Sequence, residues 1–375
     1  MSAELGGGPW FCDANAGAPA LPEVLEEFVV AERRFPANPS SVHAAGRDAR
    51  GALEQARERI AAALQVGGND VVFTSGGTEA GNLAVRGLGD LGRPVLLGEL
   101  EHPAVRESAQ QRGQIVWDVD ATGAVVLTTP PEPVGLVALV HAQSEVGTLQ
   151  PVEAAAEVAQ GAGAPLFVDA AQTLGRVPLQ PVLALDAVVA LSPHKAGGLR
   201  GHGVLVGRDL HARLAPLMHG GGQEFGLRPG TQSVALAGAN ALAIELAVGA
   251  CDERAARMIQ NRDAFAAAVR DSGCRHRVLT PLRASVPNTI MLCFEGLDGR
   301  SLLPALDLAG VQASHGSACS SGSPTPPPVL AAMNVDAALA RSCVRFSFDW
   351  FDRVDACSRA GATVGAVALR LCKKK

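Results

Sequence analysis

Lys195 is the only lysine ahead of the C-terminal triplet Lys373-Lys374-Lys375, and it stands in the run Leu191-Ser192-Pro193-His194-Lys195-Ala196-Gly197-Gly198. An ε-amine is the group that condenses with an aldehyde cofactor, so a chain that otherwise carries its positive charge on arginine has kept a Schiff-base candidate. A chance survivor of wholesale lysine-to-arginine replacement is the competing explanation. Ser192 and His194 flank this lysine and can donate to a phosphate.

Other segments bear groups of a matching kind. Val72-Phe73-Thr74-Ser75-Gly76-Gly77-Thr78-Glu79 passes from a strand through a glycine turn into a helix, where free N–H groups, the helix dipole and the Thr78 hydroxyl make a phosphate cradle. Phe167-Val168-Asp169-Ala170-Ala171-Gln172 ends an apolar strand in a carboxylate. Asp169 there either keeps a pyridinium nitrogen protonated or caps the following helix. His102 follows another strand and suits stacking on a ring or moving a proton, although a lone histidine is more often structural. Cys319 lies among Ser and Gly in Gly316-Ser317-Ala318-Cys319-Ser320-Ser321-Gly322, a setting for an exposed nucleophile or for an incidental loop thiol. Arg345, inside Cys343-Val344-Arg345-Phe346-Ser347, must meet an anion if buried: a bound carboxylate or an internal ion pair.

These residues need a scaffold, and the rest of the chain describes one. Apolar runs at 71–73, 94–97, 136–140, 165–168, 187–191 and 204–206 alternate with helical patterns, which indicates an α/β sheet buried on both faces. Residues 40–64 read as a helix, and the glycine-rich stretch 219–231 as irregular backbone before an alanine-rich helix from about Ser233 to Val248. The texture changes near residue 251. The expected organisation is a large α/β domain over 14–250, with 1–13 and 251–375 forming a smaller α+β domain that carries the Cys319 loop and Arg345. No internal repeat is visible.

With 375 residues, 47% hydrophobic and 18% charged residues and a net charge of -5, the chain reads as a well-buried globular enzyme with no electrostatic case for nucleic acid or an anionic membrane. No apolar run is long enough to span a bilayer and the N-terminus lacks a secretion signal, so a cytoplasmic location is expected. The eight cysteines show no metal-ligand spacing. No metal site and reduced, mostly buried thiols are therefore expected.

Taken in order, Asp13-Ala14-Asn15-Ala16-Gly17, Asn38-Pro39-Ser40-Ser41-Val42-His43, Thr74-Ser75-Gly76-Gly77-Thr78-Glu79, Val168-Asp169-Ala170-Ala171-Gln172, Ser192-Pro193-His194-Lys195, Gly220-Gly221-Gly222-Gln223-Glu224 with Arg228-Pro229-Gly230-Thr231, Gly316-Ser317-Ala318-Cys319 and Arg345-Phe346-Ser347 resemble the cysteine desulfurases. These belong to the class V aminotransferase-like group of pyridoxal-phosphate enzymes. The resemblance implies a fold type I enzyme, with a mostly parallel, seven-stranded-type sheet, that uses pyridoxal 5'-phosphate to convert L-cysteine to L-alanine. It implies that Lys195 carries the cofactor and moves the substrate α-proton, that Asp169 pairs with the pyridine nitrogen, that Gln172 contacts the ring hydroxyl and that His102 stacks on the ring.

By the same resemblance Gly77, Thr78, Ser192 and His194 hold the phosphate, joined by Thr231 from the second subunit of a homodimer. Arg345 takes the substrate carboxylate, and Cys319 takes the sulfur as a persulfide for an acceptor protein in iron–sulfur or thio-cofactor synthesis. Three features depart from the pattern. Ser144, in His141-Ala142-Gln143-Ser144-Glu145-Val146-Gly147, stands where many relatives place an asparagine beside cofactor and substrate. The chain ends 28 residues after Ser347, which puts docking of an iron–sulfur scaffold in question, and Pro324-Thr325-Pro326-Pro327-Pro328 stiffens the Cys319 loop. A selenocysteine lyase or another β-eliminating relative, and a non-catalytic pyridoxal-fold assembly subunit, are the alternatives.

Overall fold

The computed structural model describes residues 9–315 and 327–373. A short β1 (Trp10–Phe11) precedes seven strands of one sheet: β2 (Val71–Thr74), β3 (Val95–Gly98), β4 (Gln114–Trp117), β5 (Leu136–Val140), β6 (Leu166–Asp169), β7 (Val188–Leu191) and β8 (Gly203–Val206). Their order is β2-β8-β7-β6-β5-β3-β4. Only β8 runs against its neighbours. Helices cover both faces, which is why β2, β5 and β7 are apolar at nearly every position instead of alternating. Leu53, Ile60 and Leu64 of helix Ala44–Leu64 close one face, and Leu83 and Ala84 of helix Gly77–Gly87 the other.

A second sheet is antiparallel. It comprises β9 (His276–Val278) and β10 (Thr289–Phe294); past β11 (Val311–Gln312), which pairs with β1, comes its third strand, β12 (Cys343–Ser347). Phe265, Phe346 and Phe348 meet at its back, with ring centroids 4.7 and 5.0 Å from Phe265. The helices Cys251–Asp271 and Val354–Cys372 pack tightly there because Gly361 carries no side chain: a Cβ would fall 2.3 Å from the Phe265 carbonyl oxygen.

The expectation of reduced thiols is corrected at one pair. Cys293 and Cys343 face each other in the β10–β12 register and are joined as a disulfide. Their positions share no motif; strand register alone brings them together. Burial pushes the Cys357 thiol up to about 12, so it is inert. Among the described residues, no single helix is long and apolar enough to cross a membrane.

The glycine-rich stretch is irregular, with one short 3-10 turn at Glu224–Gly226, and the following helix runs Val234–Gly249 with Ser233 as its cap. What pins this stretch is the buried Glu224 carboxylate, which accepts both ends of the Arg57 fork at 2.8 Å, the Phe73 N–H at 2.7 Å and the Gln232 amide. Arg57→Met would strand that carboxylate in the interior. It should cost about 3–5 kcal/mol in urea unfolding, whereas a loss below 1 kcal/mol would show the loop to be held elsewhere.

Candidate active site

Because β2, β3, β5, β6 and β7 all point the same way, their carboxyl ends open on one edge of the sheet, the edge where ligands sit in such folds. β2 delivers Gly77 and Thr78, β3 delivers His102, β5 Ser144, β6 Asp169 and Gln172, and β7 Ser192, His194 and Lys195. Arg345 arrives from the other sheet on β12. All ten residues line one cavity of about 200 Å³, together with Asn15.

At one end, Ser192 Oγ sits against Gly77, where a Cβ would come within 2.5 Å of it. No side chain caps the helix Gly77–Gly87 that opens here, and the first N–H groups of a helix have no partner within it. Among the described residues the buried Nδ1 of His194 has no hydrogen-bond partner, and burial, reinforced by Lys195, Arg200 and Arg176, pushes its pKa down to about 4. Lys195 closes a 3-10 turn, its N–H 3.0 Å from Ser192 O, and the left-handed Gly197 (φ 95°) lets the chain leave.

No helix follows Asp169 directly, the next being Gln180–Leu183, so the capping reading is corrected: Oδ1 accepts the Ala171 N–H at 3.0 Å within a turn, and the residue lines the cavity. His102 Nδ1 accepts the Ala104 N–H at 3.1 Å, which places the ring proton on Nε2. Burial lowers the His102 pKa; Asp169 opposes that shift and Lys195 adds to it. Asn82 Nδ2 donates to both Thr78 O (2.9 Å) and Ala104 O (3.2 Å), tying the phosphate-side turn to the His102 helix.

Of the two partners the sequence allowed Arg345, the structure supplies the internal ion pair. The residue is 1% exposed, its NH2 reaches Asp13 Oδ1 at 2.5 Å, and its NH1 donates to Ser144 O at 2.9 Å. Among the described residues its buried Nε has no hydrogen-bond partner, and the side chain lines the cavity. Thr231 is not in this cavity; it is exposed, with Asn38 Nδ2 3.4 Å from its hydroxyl. Cys319 lies outside the described residues. The segment leading to it leaves from Ser314, which exchanges backbone hydrogen bonds with Arg345 at 2.7 and 3.3 Å.

Four buried residues escaped the sequence reading. Asn15 donates to Ser144 O (3.0 Å) and Thr289 Oγ1 (2.8 Å) and accepts from Asn288 (3.0 Å) and Arg176 (2.9 Å), so it joins both sheets behind the cavity. Its signal was its place in the Asp13–Gly17 motif; Asn288 and Arg176 had none. The fourth is Glu101, beside His102. Its Oε1 accepts the Val140 N–H at 2.7 Å and its Oε2 is buried without a partner.

Burial, with a smaller contribution from Asp169, pushes Glu101 from 4.5 up to about 8. Between those values the unfolded chain has released this proton and the folded one retains it, so rising pH costs the fold roughly 1.4 kcal/mol per unit from this group. Asp349 (about 6) and Asp352 (about 7), raised chiefly by burial, act in the same direction but persist in a Glu101 variant. Glu101→Gln, which still accepts from Val140, should therefore gain roughly 2–4 kcal/mol over the parent between pH 5 and pH 8 in urea unfolding. A parallel pH dependence of the two proteins would mean that Glu101 is already ionised.

The aminotransferase class-V family profile matches residues 10–355. A cysteine desulfurase IscS of Dictyoglomus turgidum is 34% identical over 351 residues, covering 90% of this chain and 89% of that protein. An IscS-like cysteine desulfurase of Mycobacterium tuberculosis is 36% identical over 360 residues, 90% of each chain. A solved NifS-like protein superposes with a TM-score of 0.86 at 30% identity, over 96% of this chain and 99% of the other. The sheet order, the cavity at its carboxyl edge and these likenesses over nearly the whole length lead to one placement: the chain belongs to the class-V aminotransferase family, among its cysteine desulfurases.

Proposed function

We propose that this protein is a pyridoxal-phosphate-dependent cysteine desulfurase in which Lys195 carries the cofactor, L-cysteine is converted to L-alanine, and Cys319 accepts the sulfur as a persulfide. The observation that supports the reading is the meeting of Lys195, Asp169, His102, Gln172 and the Gly77–Ser192–His194 end in one cavity with Arg345. The lining suits a phosphorylated pyridine aldehyde. It offers a helix N-terminus without a side-chain cap and a buried His194 nitrogen, unpartnered among the described residues, for the phosphate, a carboxylate for the ring nitrogen and an amine for the aldehyde.

When bound, pyridoxal phosphate supplies an electron sink beside the substrate's α-carbon. The chain's own residues do the rest. Asp169 brings a carboxylate to the cavity that Lys195 also lines, and His102, neutral with its proton on Nε2, presents a flat ring. Arg345, fixed by Asp13 and Ser144 O, keeps an unspent Nε–H for the substrate carboxylate. Ser144 lines this same side. Lys195 moves the α-proton. The Cys319 thiolate takes neutral sulfur from cysteine; the carbon that loses it gains a proton, so alanine and a persulfide balance cysteine and a thiol. A homodimer lends Thr231 to the partner's phosphate site, and an acceptor protein of iron–sulfur or thio-cofactor assembly discharges the persulfide.

Purified protein given pyridoxal phosphate should develop a visible band at about 400–430 nm. Borohydride reduction should leave the label on the Lys195 peptide. Cysteine should then yield alanine in step with sulfur, and mass spectrometry should find one added sulfur on the Cys319 peptide. A label elsewhere, or sulfide without alanine, would overturn the assignment.

A further inference from the structure

Among the described residues, Arg176 is a buried guanidinium with no carboxylate among its hydrogen-bond partners. Its NH1 donates to Asn15 Oδ1 at 2.9 Å, Gln172 Oε1 at 2.5 Å and Gln172 O at 3.2 Å; its NH2 donates to Ala14 O at 3.2 Å and Lys195 O at 3.3 Å. Every one of these acceptors is neutral, and Asn15, Gln172 and Lys195 all line the cavity. Burial pushes Arg176 down to about 10, with Asp349 opposing and Arg345 adding, so it stays charged at neutral pH. A guanidinium that served only to fill the interior would be expected to face a carboxylate at bonding distance, because an unpaired buried cation is costly.

The pattern has a chemical consequence at Gln172. A guanidinium has donors and no acceptor, so only the carboxamide oxygen can face it. The opposite end of the same amide donates to Asn15 O at 3.1 Å. Both contacts fix one orientation of the amide, with its oxygen turned to Arg176, and the Nε2 end keeps a second N–H to offer. We propose that Arg176 is a positioning residue which holds the Gln172 carboxamide in this orientation, so that Gln172 presents its N–H, and not its oxygen, to the cofactor's ring oxygen. This rests on the pyridoxal-phosphate assignment above. A fixed donor favours the anionic form of that oxygen, and so lowers the pH at which the protein-bound cofactor gives up its proton.

The test is a titration of the visible absorbance of the holoenzyme from pH 5 to pH 10. Arg176→Met frees the amide to rotate, and the midpoint should rise by about one unit. Gln172→Leu alone should raise it similarly, and adding Arg176→Met to Gln172→Leu should add less than about 0.3 unit, because the residue acts through that amide. Should Arg176→Met fail to fold, Arg176→Lys, which keeps the charge without the fork, should still move the midpoint upward. An unmoved midpoint in Arg176→Met or Arg176→Lys, or an undiminished shift in the Gln172→Leu background, overturns the positioning role. A merely structural Arg176 would lower the melting temperature of the cofactor-free protein and leave the midpoint where it was. If the parent protein forms no visible band, the cofactor assignment itself has failed, which is a separate outcome.

Discussion

Lys195→Ala is expected to lower cysteine turnover by at least about 10³-fold and to abolish the visible band that pyridoxal phosphate gives with the parent protein. Two losses combine in it. The covalent anchor disappears, and so does the base that moves the α-proton, a role worth about 10²–10⁴ on its own. No other group can substitute: the remaining lysines are Lys373, Lys374 and Lys375 at the far end of the chain, and the arginines nearby do not condense with aldehydes. The backbone bonds that shape this turn, Lys195 N–H to Ser192 O at 3.0 Å and Arg176 to Lys195 O at 3.3 Å, do not involve the side chain. The variant should therefore melt within a few degrees of the parent. Steady-state alanine production and an absorbance scan check both halves, and retained turnover in a folded variant would remove Lys195 from the chemistry.

How much of this was readable beforehand depends on where each residue stands. Lys195, Ser192, His194, Asp169 and His102 follow apolar runs, and in a parallel sheet such positions must converge, so their meeting followed from the strand pattern. The edge strand β4 escaped because Gln114-Ile115-Val116-Trp117 is half solvated and shows no continuous apolar run. Arg176, Asn288 and Glu101 were illegible for another reason: each matters only through partners that are distant in sequence or hidden by burial. Asn288 reaches Asn15 across 273 positions, and nothing local to either announces it. Cys293 and Cys343 pair through register alone, which a count of cysteine spacings does not reveal. Arg345 carried two possible partners, and the fold supplies Asp13 while leaving Nε unspent.

Asp169→Asn should lower turnover by about 10²–10³-fold while the fold stays intact. Asparagine keeps an oxygen for the Ala171 N–H now held at 3.0 Å, so the turn after β6 survives and only the charge is lost. Two neighbours report on that charge in cofactor-free protein. Asp169 attracts the proton of His102 and hinders ionisation of Glu101. Removing it should therefore send the His102 midpoint further down, because burial and Lys195 are then unopposed, and should also lower Glu101 from about 8. Loosening of the site would have a different signature: entry of water would relieve burial and return His102 upward, toward 6.5. Histidine proton resonances followed across pH 4–9, with the His102 signal assigned by a His102→Gln variant, separate the two. A His102 midpoint that rises in Asp169→Asn, alongside a fall in turnover, would show that the carboxylate supports the turn and has no electrostatic role at the ring nitrogen.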